Sequence, residues 1–375
     1  MRKQLLLGTT ALLAGAVAMP DYASAEDPLR LDVRGYKNEY FGIGDVDDQP
    51  GTDFGNTSHF SDGEVHFKGS TTLDNGLTVG VQIELEATQN TDQIDEAYTT
   101  VEGGFGKFVI GSENLAPYLT FWSVTAPNVG VPINSGWVSS WVPNAPGLGV
   151  NFRSPGRTTN VTMMNDTFGI SYLSPRFAGV QFTVGYSPSS ESENNGGGNP
   201  GNAVTNQTTE NHDIIELGFN VKQSVGGVDI GVAAGYGRSN VNDTGDAAGA
   251  DDPEQFKVGA SLGVAGFSIA GSYSNEFEGN ANAANTDSQE GQSWDIGASY
   301  GVGPWGVSAT WFHGEEEDLL ADPDDDEVDA FVGAVSYALG PGITSSFSLI
   351  YSENEDEGGT SSEGTMGIIG LSISF

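Results

Sequence analysis

The feature that most constrains this chain is a period-two alternation of apolar and polar residues that recurs along most of its length. In the segment 77–86 one face reads Leu77, Val79, Val81, Ile83 and Leu85, and the other reads Thr78, Gly80, Gln82, Glu84 and Glu86. A strand whose two faces meet unlike surroundings reads this way. Val65 and Phe67 stand against Glu64, His66 and Lys68, and Ile215, Leu217, Phe219 and Val221 stand against Glu216, Asn220 and Lys222. Beyond residue 25 no apolar run reaches the roughly 20 residues that a spanning helix needs. If such a chain enters a bilayer it must do so as a closed barrel, because lipid offers no partner to an unpaired backbone group.

The alternating segments come in pairs, joined alternately by short and long connections. Asp74-Asn75-Gly76, Gly103-Gly104-Phe105-Gly106, Pro175-Arg176, Gly226-Gly227, Ala265-Gly266, Gly303-Pro304 and Gly340-Pro341-Gly342 are tight-turn sequences, in which glycine supplies positive φ. Long polar connections cover 43–61, 187–211, 239–253, 278–291, 315–327 and 354–363. The strands implied are 29–41, 63–72, 77–88, 94–102, 107–113, 166–174, 178–187, 212–223, 228–239, 254–264, 267–277, 292–302, 305–313, 328–339, 343–353 and 364–375. The fold class expected is therefore all-β: a 16-stranded antiparallel transmembrane barrel with short periplasmic turns and long external loops. At this size the interior is an aqueous channel, not a packed core. Tyr36, Tyr40, Phe108, Tyr172, Phe177, Tyr186, Tyr236, Phe267, Trp294, Tyr300, Trp305, Trp311, Tyr337, Tyr351 and Phe375 fall near strand ends, where rings settle at the headgroup level.

The first 25 residues read as an export signal: Arg2 and Lys3, an apolar stretch from Leu5 to Val17, and the small-x-small site Ala23-Ser24-Ala25. The barrel domain is then 26–375. There is no cysteine, so stability comes from elsewhere than disulfides. Fifty-one acidic against 13 basic residues give a formal charge of −38, which excludes a nucleic-acid partner, since that affinity rests on cationic contacts with phosphate. It favours cations, including divalent ions that bridge to anionic lipid such as lipopolysaccharide. The run Glu315–Asp318 and Asp322–Glu327 falls in an expected external loop. Asp322, Asp324 and Asp326 could hold Ca²⁺ or Mg²⁺ there, although no calcium-loop spacing is present and a solvated acidic mouth is the simpler reading.

Three blocks and the end of the chain carry a family resemblance. They are Phe168–Pro175 running into Phe177–Phe182, the segment Gly106–Gly111, and a last strand Met366–Phe375 that alternates to a terminal phenylalanine. With the export signal, these resemble the general diffusion porins of Gram-negative bacteria, most nearly the alphaproteobacterial type. The resemblance implies an outer-membrane homotrimer with one pore per monomer, and Phe375 as the signal read by the barrel-assembly machinery. It also implies a third external loop, here 114–165, folded inward as a constriction. Small hydrophilic solutes would cross passively, with a solute-selective channel as the near alternative.

Strand parity nominates the wall residues. With Leu29, Leu31 and Val33 outward, Arg30, Asp32 and Arg34 point into the lumen, joined by Lys68, Glu84, Glu86 and Glu96. Pores of the resembled family set basic wall residues against acidic groups on the inward loop. Arg30, Arg34 and Lys68 fit the basic side, but the span 114–165 contains no Asp or Glu. It carries Trp122, Trp137 and Trp141, with Arg153 and Arg157 near its end. The tryptophans either form an aromatic constriction on which sugar faces stack or, the favoured reading, pin the loop to a wall or subunit contact. No enzyme is expected, and no cofactor: the four histidines lack ligand spacing and the glycine-rich stretches lack the lysine of a phosphate loop. A secreted acidic Ca²⁺-binding adhesin is the alternative from another class.

Overall fold

The computed structural model describes residues 29–49, 52–88, 93–134, 138–143, 155–164, 166–190, 211–241, 252–278, 290–317, 325–355 and 361–375. The expected export signal, and within the nominated sites Trp137, Arg153, Asp322 and Asp324, lie outside the described residues.

Sixteen strands run in chain order: β1 (Asp32–Val46), β2 (Thr57–Thr72), β3 (Thr78–Glu86), β4 (Ala97–Gly103), β5 (Gly106–Ser112), β6 (Phe168–Leu173), β7 (Val180–Ser189), β8 (His212–Val225), β9 (Val228–Asn240), β10 (Glu254–Val264), β11 (Phe267–Glu278), β12 (Gly291–Val302), β13 (Trp305–Glu317), β14 (Asp325–Gly340), β15 (Ile343–Glu355) and β16 (Ser361–Ser374). Each pairs antiparallel with its neighbours in sequence, and β1 pairs with β16 to close the barrel. At the seam the Gly35 and Phe375 amides each donate to the other's carbonyl, both at 3.0 Å. Closure leaves no edge strand, which is what lets the ladder sit in lipid.

Local chemistry explains the short turns. Gly226 and Gly227 sit at φ 61° and 83°, and Ala265 and Gly266 at 50° and 85°. Two consecutive positive φ values form the hairpin turn whose twist matches the strands.

The outer face carries the apolar half of the alternation. Phe182 and Val184 in β7, Ile215 and Leu217 in β8, and Ile369 and Leu371 in β16 are exposed there. Aromatic pairs band the two ends: Phe267 with Tyr300 and Trp305 with Tyr337 near the short turns, Trp311 with Phe331 and Tyr273 with Trp294 near the long loops. Tyr36 and Tyr40 depart from the expected girdle. Their cross-strand partners Glu64 and Phe60 share the inner face, and Tyr40 is buried.

Several strands run further outward than hydropathy indicates. Glu315 to Glu317 belong to β13 and Asp325 to Glu327 to β14, facing one another in register, so this part of the acidic run is ladder and not loop. The first external connection shrinks likewise, β1 reaching Val46 and β2 starting at Thr57. Above the membrane both strand faces are wet. The backbone ladder continues there while the alternation that marks it in the sequence disappears.

Candidate functional site

The lumen is shaped by the segment between β5 and β6. It opens with a short helix, α1 (Ala116–Phe121), and a 3₁₀ turn (Trp122–Val124). It then follows the inner wall, and the strands meet it with single side chains. The Ala126 amide donates to Asp295 Oδ1 at 2.7 Å, the Val129 amide to Ser308 Oγ at 3.2 Å and the Val131 amide to Ser348 Oγ at 3.0 Å. On the return path Lys257 Nζ donates to Asn160 Oδ1 and the Val161 carbonyl, both at 2.7 Å, and Glu216 Oε1 accepts from Thr162 Oγ1 at 2.8 Å and the Met163 amide at 3.0 Å.

Asp295 joins three parts of this segment. Besides Ala126 it accepts from Asn134 Nδ2 at 2.7 Å and Thr159 Oγ1 at 2.5 Å, and it takes a further bond from Ser272. A carboxylate buried without a cation is tolerated because four donors replace its hydration.

An apolar seam completes the attachment. Val131, Ile133, Val138, Trp141 and Val142 of the segment pack on Phe312, Val328, Ala330, Val332, Ile350, Met366 and Ile368 of β13 to β16. These inward apolar positions break the polar-inside rule because the loop, not water, covers them. Trp141 is 3% exposed, and a Cβ at Gly42 would stand 2.4 Å from its ring, so the glycine in β1 is what admits the indole.

The nominated residues divide accordingly. Trp141 is a pin and lines no channel. Trp122 is exposed at 38% and meets Tyr118 edge-on at 5.6 Å. Arg157 was expected as a lumen charge, but it is buried. Its Nη1 donates to Asn354 Oδ1 at 3.3 Å, and Glu316 and Asp326 lie close enough to favour its charge. Burial lowers its pKa to about 10, which leaves it cationic at neutral pH. Asp326, one of the three residues considered for Ca²⁺ or Mg²⁺, therefore already faces a guanidinium.

The opposite wall stays open. A cavity of about 490 Å³ is lined by Arg30, Asp32 and Arg34 before and within β1, Lys68 to Thr71 of β2, Gly80 to Gln82 of β3, Tyr98 and Thr100 of β4 and Lys107 of β5. Four of these are cations and one is an anion. Lys107 was not nominated, although Phe108 and Ile110, both outward, put it inside by parity.

Toward the external side of the same strands the sign changes. Glu84 and Glu86 point inward as expected and are joined by Glu64. Glu96 lies just before β4, with a carboxylate oxygen within 4.8 Å of those of Asp95 and Asp166. Glu113 and Asp166 meet where the inward segment leaves and rejoins the wall: the Asn114 amide donates to Glu113 Oε1 at 3.0 Å, and its Nδ2 donates to Asp166. Burial first, then the charges of Asp166 and Glu84, pushes the Glu113 carboxyl up to about 8. Lys68 and Glu64 share one face of β2 four residues apart, about 13 Å along the strand at 3.3 Å per residue. The charges are thus segregated along the pore on one wall. The arrangement of the resembled family, basic wall facing acidic loop, is absent among the described residues, in keeping with a span 114–165 that holds no Asp or Glu.

A closed sixteen-stranded barrel with an apolar outer band, a polar lumen and one segment folded inside it defines an outer-membrane channel protein. Among proteins of known fold the chain is similar to a loop-deletion form of OmpT from Vibrio cholerae, with 13% identity, 93% of this chain and 100% of that one covered, and a TM-score of 0.62. It is also similar to the anion-selective porin from Comamonas acidovorans (14%, 93% and 100%, 0.60) and to OmpF of Salmonella typhi in complex with daunomycin (16%, 92% and 97%, 0.61). At these identities the likeness is one of fold. No curated protein is a significant match by sequence. The family model of Gram-negative porins matches residues 8–357, and the chain belongs to that family.

Proposed function

We propose that this porin lets ions and small hydrophilic solutes diffuse passively across the outer membrane and prefers cations. The observation that carries the reading is the unequal wall. The inward segment packs on β6 to β16 and on Tyr40 and Gly42 of β1, and leaves uncovered the cavity along β1 to β5, toward whose external side Glu64, Glu86 and Glu96 stand half-buried with Glu84 and Asp166 buried beside them. A low-dielectric wall lined by one sign of charge concentrates counter-ions at the entrance. The cations around Lys68 lie deeper and work against this preference, so its magnitude is set by the acidic belt. Planar-bilayer recording under a salt gradient tests the reading: a reversal potential of cation-selective sign is expected, and one of anion-selective sign at low salt overturns it.

The reading includes a homotrimer. Its support is a charged group on the outer face, where Lys37 Nζ lies 3.1 Å from Glu39 Oε1 and His59 Nε2 lies 2.8 Å from Glu39 Oε2. Along β1 this group sits between outward Val33 and outward Phe41 and Ile43, at a height where lipid tails would penalise it and a neighbouring subunit would not. OmpT of Vibrio cholerae, similar in fold, has been solved in a trimer form. Crosslinking in native membranes tests the assembly; a monomer there removes this part of the reading. Phe375, exposed at the seam, is proposed as the assembly signal, to be tested by outer-membrane yield of Phe375→Ala.

A further inference from the structure

We propose that Glu64, His66 and Glu84 form a binding site for a Zn²⁺-class divalent ion on the pore wall. Glu64 and His66 are two residues apart and so share the inner face of β2, while Glu84 of β3 stands directly opposite His66 in register. The backbone thus delivers all three side chains to one point. His66 Nε2 lies 2.6 Å from Glu64 Oε2 and 2.9 Å from Glu84 Oε2, and the three ligand atoms lie within 4.8 Å of one another.

A single N–H donates one good hydrogen bond, yet two carboxylate oxygens converge on this nitrogen. A proton there serves one anion well, whereas a doubly charged ion drawn in among the three atoms serves both. The remaining oxygens are already oriented: Tyr36 Oη donates to Glu64 Oε1 at 2.6 Å, and Gln82 Nε2 donates to Glu84 Oε1. Such outer hydrogen bonds fix ligand carboxylates in metal sites. The Tyr36 ring meets the imidazole edge-on at 6.2 Å and limits its rotation. Among the described residues no Lys or Arg forms an ion pair with Glu64 or Glu84. One nitrogen and two oxygens suit Zn²⁺ and its first-row neighbours, whereas Ca²⁺ and Mg²⁺ take oxygen alone. Lys68, on the same face of β2 beyond His66, is the opposing charge that keeps the affinity moderate. An ion held here would neutralise the two carboxylates beside the passage and so reduce cation flow.

The test uses the folded protein in detergent, titrated calorimetrically with ZnCl₂, and the same protein in planar bilayers. Expected are one saturable Zn²⁺ site per chain, a saturable fall in single-channel conductance, and no such fall with equal CaCl₂. His66→Ala and Glu84→Gln should each weaken binding by about tenfold or more, and Lys68→Gln should tighten it. The heat-modifiable band on a gel confirms that each variant is folded, and Lys68→Gln, which removes no ligand, gives a readout even if His66→Ala does not fold. The proposal is overturned if wild-type protein shows no saturable site, if both ligand variants bind as tightly as wild type, or if Ca²⁺ reproduces the conductance change. Calorimetry reports on the site even where no channel current is recorded, so failure of the transport reading remains distinguishable.

Discussion

Lys68 and Lys257 both project inward from barrel strands, yet they do different work. Lys68 in β2 is exposed and lines the open cavity. Lys257 in β10 is 3% exposed, bonded to two oxygens of the inward segment, and 5.2 Å from the ring centres of both Tyr118 and Phe121. The same division separates the two sides of the lumen. Along β1 to β5, Arg30, Arg34, Lys68 and Lys107 line the open cavity and act on whatever passes. Along β7 to β16, Glu216, Lys257 and Asp295 are covered by the segment they hold, and Arg157 of that segment is buried with them. A charge inside this barrel is functional or structural according to whether the loop covers it.

The largest effects should come from the covered side. Trp141→Ala removes a buried indole and should cost about 3–5 kcal/mol, read as a lower temperature for loss of the folded band on a gel, with noisier channel current. Trp122→Ala should stay within about 0.5 kcal/mol, since its ring is exposed. Equal effects of the two would erase the distinction between pinned and free aromatics. Next comes Asp295→Ala, which orphans donors on three parts of the loop at about 1–3 kcal/mol for each left unpaired. Current fluctuations should rise more than mean conductance, and a quiet channel of wild-type stability would show that the loop is held by apolar packing alone.

On the open side the effects should be on selectivity with little loss of stability. Arg34→Gln with Lys68→Gln should shift the reversal potential toward cations, and Glu86→Gln toward anions, with the folded band unchanged. A smaller shift should follow pH. Glu113, held near 8, is mostly protonated at pH 7 and gains its negative charge as pH rises through 8 to 9. Cation preference should therefore increase over that interval and lose this step in Glu113→Gln. Smallest of all, the preference should decline steadily from 0.1 to 1 M salt as the screening length falls from about 10 to about 3 Å.

Much of this was legible in the residues. The sixteen strands, their order and the turn glycines follow from alternation and turn chemistry, and β10 (Glu254–Val264) begins and ends where the pattern does. Parity also puts Arg34, Lys68, Glu84 and Glu86 on one face of their strands, because the side-chain period of a strand allows only two directions. Asp295 and Glu216 carried the same inward parity as Glu84, and nothing local to them indicates that a segment more than fifty residues away covers them. The outer strand ends were hidden for a different reason: with water on both faces, Glu315 to Glu317 have no alternation to show.

Alternation, turn residues and the want of a long apolar run were by themselves enough to determine a closed barrel and the inward or outward sense of most side chains, since those depend only on each residue's neighbours along and across a strand. Which inward residues meet water was decided by the tertiary structure alone. That depends on where the described parts of the segment 114–165 pack on strands remote in sequence, admitted at Gly42 and tied at Asp295. The same packing turned Trp141 and Arg157 from candidate pore residues into buried supports and left the passage to the charged wall of β1 to β5.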